Sequence, residues 1–333
     1  MRHLNIPIFV PHLGCPNACV FCNQRKISGK DTFSLCGVRE EIERVLATVR
    51  EGDEVEIAFF GGSFTAIERS LMLSLLEIGR EYIDQGRVCA LRCSTRPDSI
   101  DEETLSELSS YGMKTVELGV QSISDEVLFA SGRGHTREDI IRACDLVRAS
   151  GMDLVCQMML GLPKSTRESD LETARFIVDS GAVAARIYPT VVLRESVLHQ
   201  MLLDGCYEAL SLDEAILRGA DALEALTDGG VYPLRIGLCA SEGLSAGDAV
   251  AGAYHPALGE LIRSELYYRK IKKIVRGSGR EGAFRIGVSP LALSQAIGQH
   301  KSNLLRLAGE LSLSRLEIVP RDGLREFEAI LCE

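Results

Sequence analysis

Cys15, Cys19 and Cys22 lie in the run Cys-Pro-Asn-Ala-Cys-Val-Phe-Cys, directly after the apolar stretch Asn5 to Val10. Thiolates are soft ligands, and this C-x3-C-x2-C spacing can bring three of them onto three irons of one [4Fe-4S] cube. The fourth iron then lacks a protein ligand and is open to an exogenous amino and carboxylate chelate. Zinc is the competing reading, with the three cysteines as three of four ligands. Structural zinc normally closes its fourth position with a nearby Cys or His, and His12 is the near candidate. Pro16 helps to turn the loop and Phe21 can pack against a cluster face, although both residues also suit an ordinary turn.

A loop this short positions its thiols only if rigid elements hold it. Short runs rich in apolar and β-branched residues recur at 5–10, 54–60, 87–94, 113–121, 152–160 and 182–190, giving six units before residue 200. Amphipathic stretches separate them. From Ser34 to Arg50, for example, Val38, Ile42, Val45, Leu46 and Val49 share one helical face. Strands alternating with helices imply right-handed crossovers and a parallel α/β sheet, either open and doubly wound or curled into a complete or partial barrel. In both architectures chemistry gathers at the C-terminal ends of the strands. The cysteine loop follows strand one there, and Gly61, Gly62 and Ser63 follow strand two.

Beyond about residue 205 the pattern changes. It predicts a helix over Ser211 to Asp228, a strand over Val231 to Leu238 and a glycine- and alanine-rich segment from Gly243 to Gly252. A basic helix at 256–276, a strand at 284–288, a helix at 290–309 and a strand at 314–320 follow. We therefore expect a main domain over 1–205 and a C-terminal α/β extension over 206–333.

With 333 residues, 46% of them hydrophobic, the chain can bury a large core. Its eleven cysteines are spread through a long sequence with no charged-then-apolar leader, which predicts a reducing, cytoplasmic setting. No apolar run approaches the ~20 residues needed to cross a bilayer, so no membrane association is expected. The net charge of −10 disfavours broad binding to phosphate backbones, although a local basic face can override the average. Small-molecule, peptide and RNA substrates stay open. Cys89 and Cys93 share a face of one expected strand, yet no tight pair or triplet among the remaining cysteines builds an auxiliary cluster, and buried cysteine serves as a small hydrophobe.

Further motifs follow the cysteine loop in order: Ala58-Phe59-Phe60-Gly61-Gly62-Ser63-Phe64-Thr65, Cys93-Ser94-Thr95-Arg96-Pro97-Asp98, Val116-Glu117-Leu118-Gly119-Val120-Gln121-Ser122, Ser131-Gly132-Arg133-Gly134-His135-Thr136, Met158-Met159-Leu160-Gly161-Leu162-Pro163 and Arg186-Ile187-Tyr188-Pro189-Thr190. Over about residues 5–200 this series resembles the radical S-adenosylmethionine (SAM) enzymes, in particular the radical domain of the elongator-complex catalytic subunit, and more loosely oxygen-independent coproporphyrinogen oxidase. The resemblance implies a partial (β/α)6 TIM-like barrel. It implies a cluster on Cys15, Cys19 and Cys22 that is chelated by SAM and reduces it. It also implies that the Gly61-Gly62 loop receives the methionyl amino group through main-chain oxygens.

Bound SAM presents a carboxylate, ribose hydroxyls, an adenine edge and a sulfonium, and a buried polar group left unpaired costs ~1 to 3 kcal/mol. Arg133 suits the carboxylate, because its planar fork holds two oxygens. Gln121 and Gln157 offer amides for the ribose hydroxyls, though the porphyrinogen oxidase branch leads one to expect an acid at the position of Gln157. Glu117 binds cofactor or substrate or pairs with Arg96. Arg96 and Tyr188 face the expected cavity, where Tyr188 can hydrogen-bond substrate or relay an electron or proton. Ser63 joins the cofactor set. For His135 a helix cap is one reading, with Thr136 an equal candidate and Asp139 at capping-box spacing.

The elongator subunits carry an acetyltransferase domain after the radical domain, and this sequence ends too early to hold one. Acetyl transfer is therefore not carried over. Tyr267-Tyr268-Arg269-Lys270-Ile271-Lys272-Lys273 interleaves cations with aromatics, a pattern that suits phosphate contacts with base stacking but more often is a solvated helix face beside a core stripe. Leu293 to Leu307 has helix-turn-helix features without a DNA-binding context, and His255 lies after the glycine-rich segment. The expected reaction is one-electron cleavage of SAM, driven by a flavodoxin or ferredoxin donor, to a 5′-deoxyadenosyl radical that abstracts hydrogen from a substrate. A tRNA nucleoside is one alternative substrate. A non-catalytic iron-sulfur or haem carrier is the reading from another class.

Overall fold

The computed structural model describes residues 2–10, 15, 19–22, 33–238 and 248–332. His12, Pro16, Cys239 and the first half of the glycine-rich segment lie outside the described residues. The first part alternates as expected: β1 (His3–Val10), α1 (Leu35–Leu46), β2 (Glu54–Gly61), α2 (Arg69–Asp84), β3 (Ala90–Thr95), α3 (Glu102–Ser110) and β4 (Met113–Gln121). α4 (Asp125–Ala130), α5 (Arg137–Ala149), β5 (Asp153–Leu160), α6 (Arg167–Asp179) and β6 (Ala184–Pro189) continue it. Local chemistry sets the helix starts. The Ser34 hydroxyl accepts from the Gly37 N–H ahead of α1, and Thr136 with Asp139 forms the capping box of α5. Thr136 is therefore the cap, and His135 is not.

The main sheet is parallel and runs β1-β2-β3-β4-β5-β6-β8, where β8 is Tyr232–Ile236. Its order never reverses. A doubly wound sheet needs a reversal to place helices on both faces, whereas right-handed crossovers in unbroken sequence put the helices on one face and curl the sheet into a partial barrel. The expected count of six strands becomes seven, because β8, assigned from sequence to the extension, hydrogen-bonds to β6. Ala184 pairs with Tyr232 and Ile187 with Ile236. The period-two pattern then sorts the side chains. Ile6, Ile8, Ile57, Phe59, Leu91, Val116, Leu118, Leu154, Cys156 and Ile187 enter the helix-covered core. Glu56, Arg92, Ser94, Glu117, Gln157, Arg186 and Tyr188 alternate with those core residues and so lie on the opposite face.

The remaining elements are β7 (Val191–Leu193), α7 (Val197–Leu203), α8 (Leu212–Asp228), β9 (Ala249–Gly252) and α9 (Leu258–Gly277). After them come β10 (Ala283–Val288), α10 (Leu293–Ile297), α11 (Ser302–Glu310), β11 (Arg315–Pro320) and β12 (Ala329–Cys332). β7 pairs antiparallel with β9. β10 is central in a second sheet, parallel to β11 and antiparallel to β12. The single helix expected at 290–309 is divided, because Gly298 has φ 79° and ends α10. α9 packs on α8 and ties this unit to the main body. No helix among the described residues is long and apolar enough to cross a membrane.

Candidate functional site

The cysteine loop is stitched down by main-chain bonds. The Val20 N–H donates to the Ser131 carbonyl at 3.1 Å, the Leu198 N–H to the Val20 carbonyl at 2.8 Å, and the Cys22 N–H to the Cys19 carbonyl at 2.9 Å. Cys19 is buried, Cys22 half-buried and Cys15 exposed. Burial pushes the Cys15 thiol up, opposed by the positive charges of Arg96 and Arg133 and reinforced by Cys19. Two guanidiniums thus face the thiols.

Gly61 (φ 124°) closes β2 beside the last residue of β1, and a Cβ there would stand 2.4 Å from the Val10 carbonyl oxygen. This glycine therefore lets two chain segments meet at the root of the cysteine loop. The Gly62 N–H donates to the same carbonyl at 3.3 Å. Ser63 is buried, and its hydroxyl lies 2.7 Å from the Thr95 hydroxyl and accepts from the Arg96 N–H at 3.2 Å. Ser63 thus ties β2 to β3.

Arg96 grips Asp98 with Nε at 2.9 Å and Nη2 at 2.8 Å, and it also donates to the Arg133 carbonyl. Arg133 in turn reaches the Cys19 sulfur with Nη1 at 3.3 Å and the Gly119 carbonyl with Nη2 at 2.6 Å. No carboxylate pairs with Arg133 among the described residues. β4 has an irregular register between Gly119 and Gln121, and Gln121 takes the left-handed φ of 64°. Arg96 Nη1, Gln121 Oε1, Ser131 Oγ, Arg133 Nε and both ring nitrogens of His135 are buried without a hydrogen-bond partner among the described residues. Burial, with Arg133 and Arg96 beside it, lowers the His135 pKa to about 3, so the ring is neutral at pH 7. Sequence reasoning read His135 only as a cap; its place in the Arg133-Gly134-His135 run was the available signal.

A second cluster lies along the sheet. Register places Ser94 opposite Glu117, Gly119 opposite Gln157, Gln157 opposite Arg186 and Met159 opposite Tyr188. Glu117 is 0% exposed and accepts from Arg92 Nη2 at 2.7 Å, Arg186 Nε at 2.8 Å, Arg186 Nη2 at 3.0 Å and Gln157 Nε2 at 3.2 Å. Its charged partners are thus Arg92 and Arg186, and the pairing with Arg96, one of the alternatives for this residue, does not form. Burial alone would raise the Glu117 pKa, but Arg186, Arg92 and Gln157 outweigh it and hold the carboxyl below its usual range. Arg92 continues to Glu56 at 3.2 Å, and the Arg186 guanidinium sits 5.7 Å from the centre of the Phe60 ring. Burial raises the Tyr188 phenol, opposed by the charge of Arg186.

Near Cys19, the donors and acceptors left unpaired among the described residues are of the kinds that a carboxylate, an amine and hydroxyls satisfy. Among the described residues no group of three or more His, Cys, Asp or Glu side chains stands close enough to hold a metal ion, and His12, the candidate for closing a zinc site, lies outside them. The family model of the radical SAM superfamily matches residues 9–177, over half of the chain. The chain belongs to the radical SAM superfamily. A second model, the radical SAM C-terminal domain, matches residues 183–268. An uncharacterised protein of Methanocaldococcus jannaschii is 29% identical over 227 residues, 65% of this chain and 70% of that one. A tRNA uridine(34) acetyltransferase of Methanocaldococcus infernus is 27% identical over 243 residues, 61% of this chain and 46% of that one. The chain thus matches about half the length of such relatives. The solved structure of the archaeal M. infernus Elp3 with an N-terminal deletion aligns with a TM-score of 0.64 at 23% identity, covering 80% of this chain and 63% of that one. Coproporphyrinogen III oxidase (HemN) of Escherichia coli aligns at 0.51 with 19% identity, covering 69% and 53%. Both share the fold. The protein is a radical SAM enzyme with a [4Fe-4S] cluster and SAM as its cofactors, which sets the carrier reading aside.

Proposed function

We propose that this radical SAM enzyme abstracts hydrogen from a substrate held against the polar inner face of the partial barrel, with Cys15, Cys19 and Cys22 as the cluster ligands. The observation that carries the reading is Arg133. It is a buried cation that touches Cys19, has no carboxylate partner among the described residues and is ringed by other unpaired polar atoms. The bound cofactors, given one electron by a flavodoxin- or ferredoxin-type donor, supply reductive cleavage of SAM to methionine and a 5′-deoxyadenosyl radical. The chain binds, orients and shields. Arg133 receives the SAM carboxylate, Gln121 offers its amide to the ribose, and the main chain of Gly61 and Gly62 lies where the amino group is received. Arg96 acts through Asp98 and the Arg133 carbonyl, and Ser63 acts through Thr95; both position the loops. Glu117 fixes Arg186 and Gln157, and Tyr188 faces the substrate. The residues of 206–333 outside the main sheet form the extension.

Anaerobic reconstitution with iron and sulfide, followed by dithionite and SAM, tests this beside a Cys19→Ala control. Deoxyadenosine from the native chain and none from the control is the expected result. A loaded cluster that yields none overturns the proposal.

A tRNA nucleoside as substrate is the second reading, favoured by the similarity to the tRNA uridine(34) acetyltransferase of M. infernus. The test is deoxyadenosine formation stimulated by added tRNA. A rate that tRNA leaves unchanged counts against it.

A further inference from the structure

We propose that the helix–loop–helix of the extension, α10 with Gly298–Lys301 and α11, holds the sugar–phosphate backbone of a single-stranded RNA segment. The proposal rests on the nucleic-acid reading above for the identity of the ligand, while its geometry lies apart from the cysteine loop.

Charge is the first argument. Residues 256–333 hold 13 Lys and Arg against 9 Asp and Glu, a net +4, and the total of −10 therefore leaves −14 on residues 1–255. An anionic backbone is repelled by most of this protein and attracted to its last quarter.

Structure then decides where in that quarter it can rest. Of the four cations in the basic run of α9, the obvious place in sequence, only Lys273 is exposed with no acidic partner among the described residues. Tyr267 and Tyr268 are core residues. Arg269 pairs with Asp221 at 2.6 Å, Lys270 with Asp228 at 3.4 Å and Lys272 with Glu310 at 2.5 Å. By contrast, His300 and Lys301 are exposed, and neither has an acidic partner among the described residues.

These two residues belong to Gly298-Gln299-His300-Lys301, the junction of two helices. KH modules clamp a nucleic-acid backbone with a Gly-x-x-Gly loop. Gly298 takes φ 79°, a conformation that L side chains rarely adopt, and a Cβ there would also stand 3.0 Å from the Asn303 nitrogen. Lys301 takes φ 63°, the left-handed conformation that glycine adopts freely and lysine resists, so a cation stands where that motif has its second glycine. The loop is held rigid from below. The buried Asn303 amide donates to the Ser264 carbonyl at 2.8 Å and the Ala296 carbonyl at 3.1 Å, which locks α11 to α9 and α10. Leu291, in the turn that leads from β10 into α10, is 92% exposed and offers apolar surface to unstacked bases.

Fluorescence anisotropy of the full chain with a labelled single-stranded RNA of about ten nucleotides tests the proposal. We expect Lys301→Asp with His300→Asp to weaken binding by about tenfold or more and to flatten the salt dependence by about one phosphate contact. Lys301→Gly, which restores Gly-x-x-Gly, should keep the loop and most of the affinity. Lys270→Ala with Lys272→Ala should leave binding unchanged. A native melting transition confirms that the variants fold. No retention at low salt, equal binding by the double Asp variant, equal affinity for a duplex of the same sequence, or an equal loss from the α9 variant would each overturn it. Deoxyadenosine formation without RNA is read separately, so failure here leaves the radical reaction standing and failure there leaves this binding test intact.

Discussion

Two clusters of buried polar side chains share one sheet and differ in how completely they are satisfied. Around Glu117 the positive charges of Arg92 and Arg186 meet carboxylates, and Gln157 bridges to Glu117 and, at 3.3 Å, to Ser94. Around Cys19, Arg133 has a sulfur and a carbonyl for partners, and Gln121, Ser131 and His135 hold buried atoms with none among the described residues. Burying an unpaired polar group costs free energy. In the network around Glu117, Arg92 Nε is the one buried side-chain atom without a hydrogen-bond partner among the described residues, and the network holds strands β2 to β6 in register. In the function proposed above, the first cluster is the scaffold of the face that holds the substrate and the second is the cofactor site.

Breaking the scaffold should have the largest effect on folding. Glu117→Ala leaves two buried guanidiniums facing one another, and we expect it to destabilise the fold by about 3 to 5 kcal/mol in urea titration. A loss under ~1 kcal/mol would mean that the network is not what holds the inner face.

Breaking the site should do the reverse. Arg133→Met removes a buried charge that has no carboxylate partner among the described residues, so the apo protein should melt no lower than the native chain, while SAM affinity of the reconstituted form falls about 10- to 100-fold. If stability fell as far as in Glu117→Ala with SAM binding intact, the distinction between the clusters would collapse.

The third test is smaller and concerns pH. His135 has a folded pKa of about 3, below its value in the unfolded chain. The unfolded state therefore takes up the proton first as pH falls, and stability is lost from about pH 6.5 down to about 3 at up to ~1.4 kcal/mol per pH unit. Asp170, whose pKa burial raises to about 6, acts in the opposite direction. The difference between native protein and His135→Asn isolates the histidine, and that difference should grow as pH falls; a constant offset would show that the ring is not held neutral.

The strand at 113–121 was legible residue for residue, since its apolar positions alternate and Gly112 turns the chain into it with φ 90°. The partner of Glu117 was not. Arg92 and Arg96 are four apart in sequence, and which of them meets Glu117 depends on the β3–β4 register, which shifts between Leu91 and Arg92. Gly61 was legible as a special position, but for the approach of a ligand. The structure shows it against the Val10 carbonyl. In the basic helix, Tyr267 and Tyr268 gave the same signal whether they faced solvent or core, and only the packing of α9 against the second sheet decides.

Local chemistry therefore determined by itself the three thiols at cluster spacing, the alternation of strands and helices, and the caps that start α1 and α5, because each depends on neighbours a few residues away. The tertiary structure alone decided that a seventh strand closes on β6 from beyond residue 205, that Arg92 and not Arg96 neutralises Glu117, and that Arg133 lies beside Cys19 with no carboxylate partner among the described residues. Those outcomes depend on which distant segments come within a hydrogen bond of one another, and spacing along the chain carries no information about that.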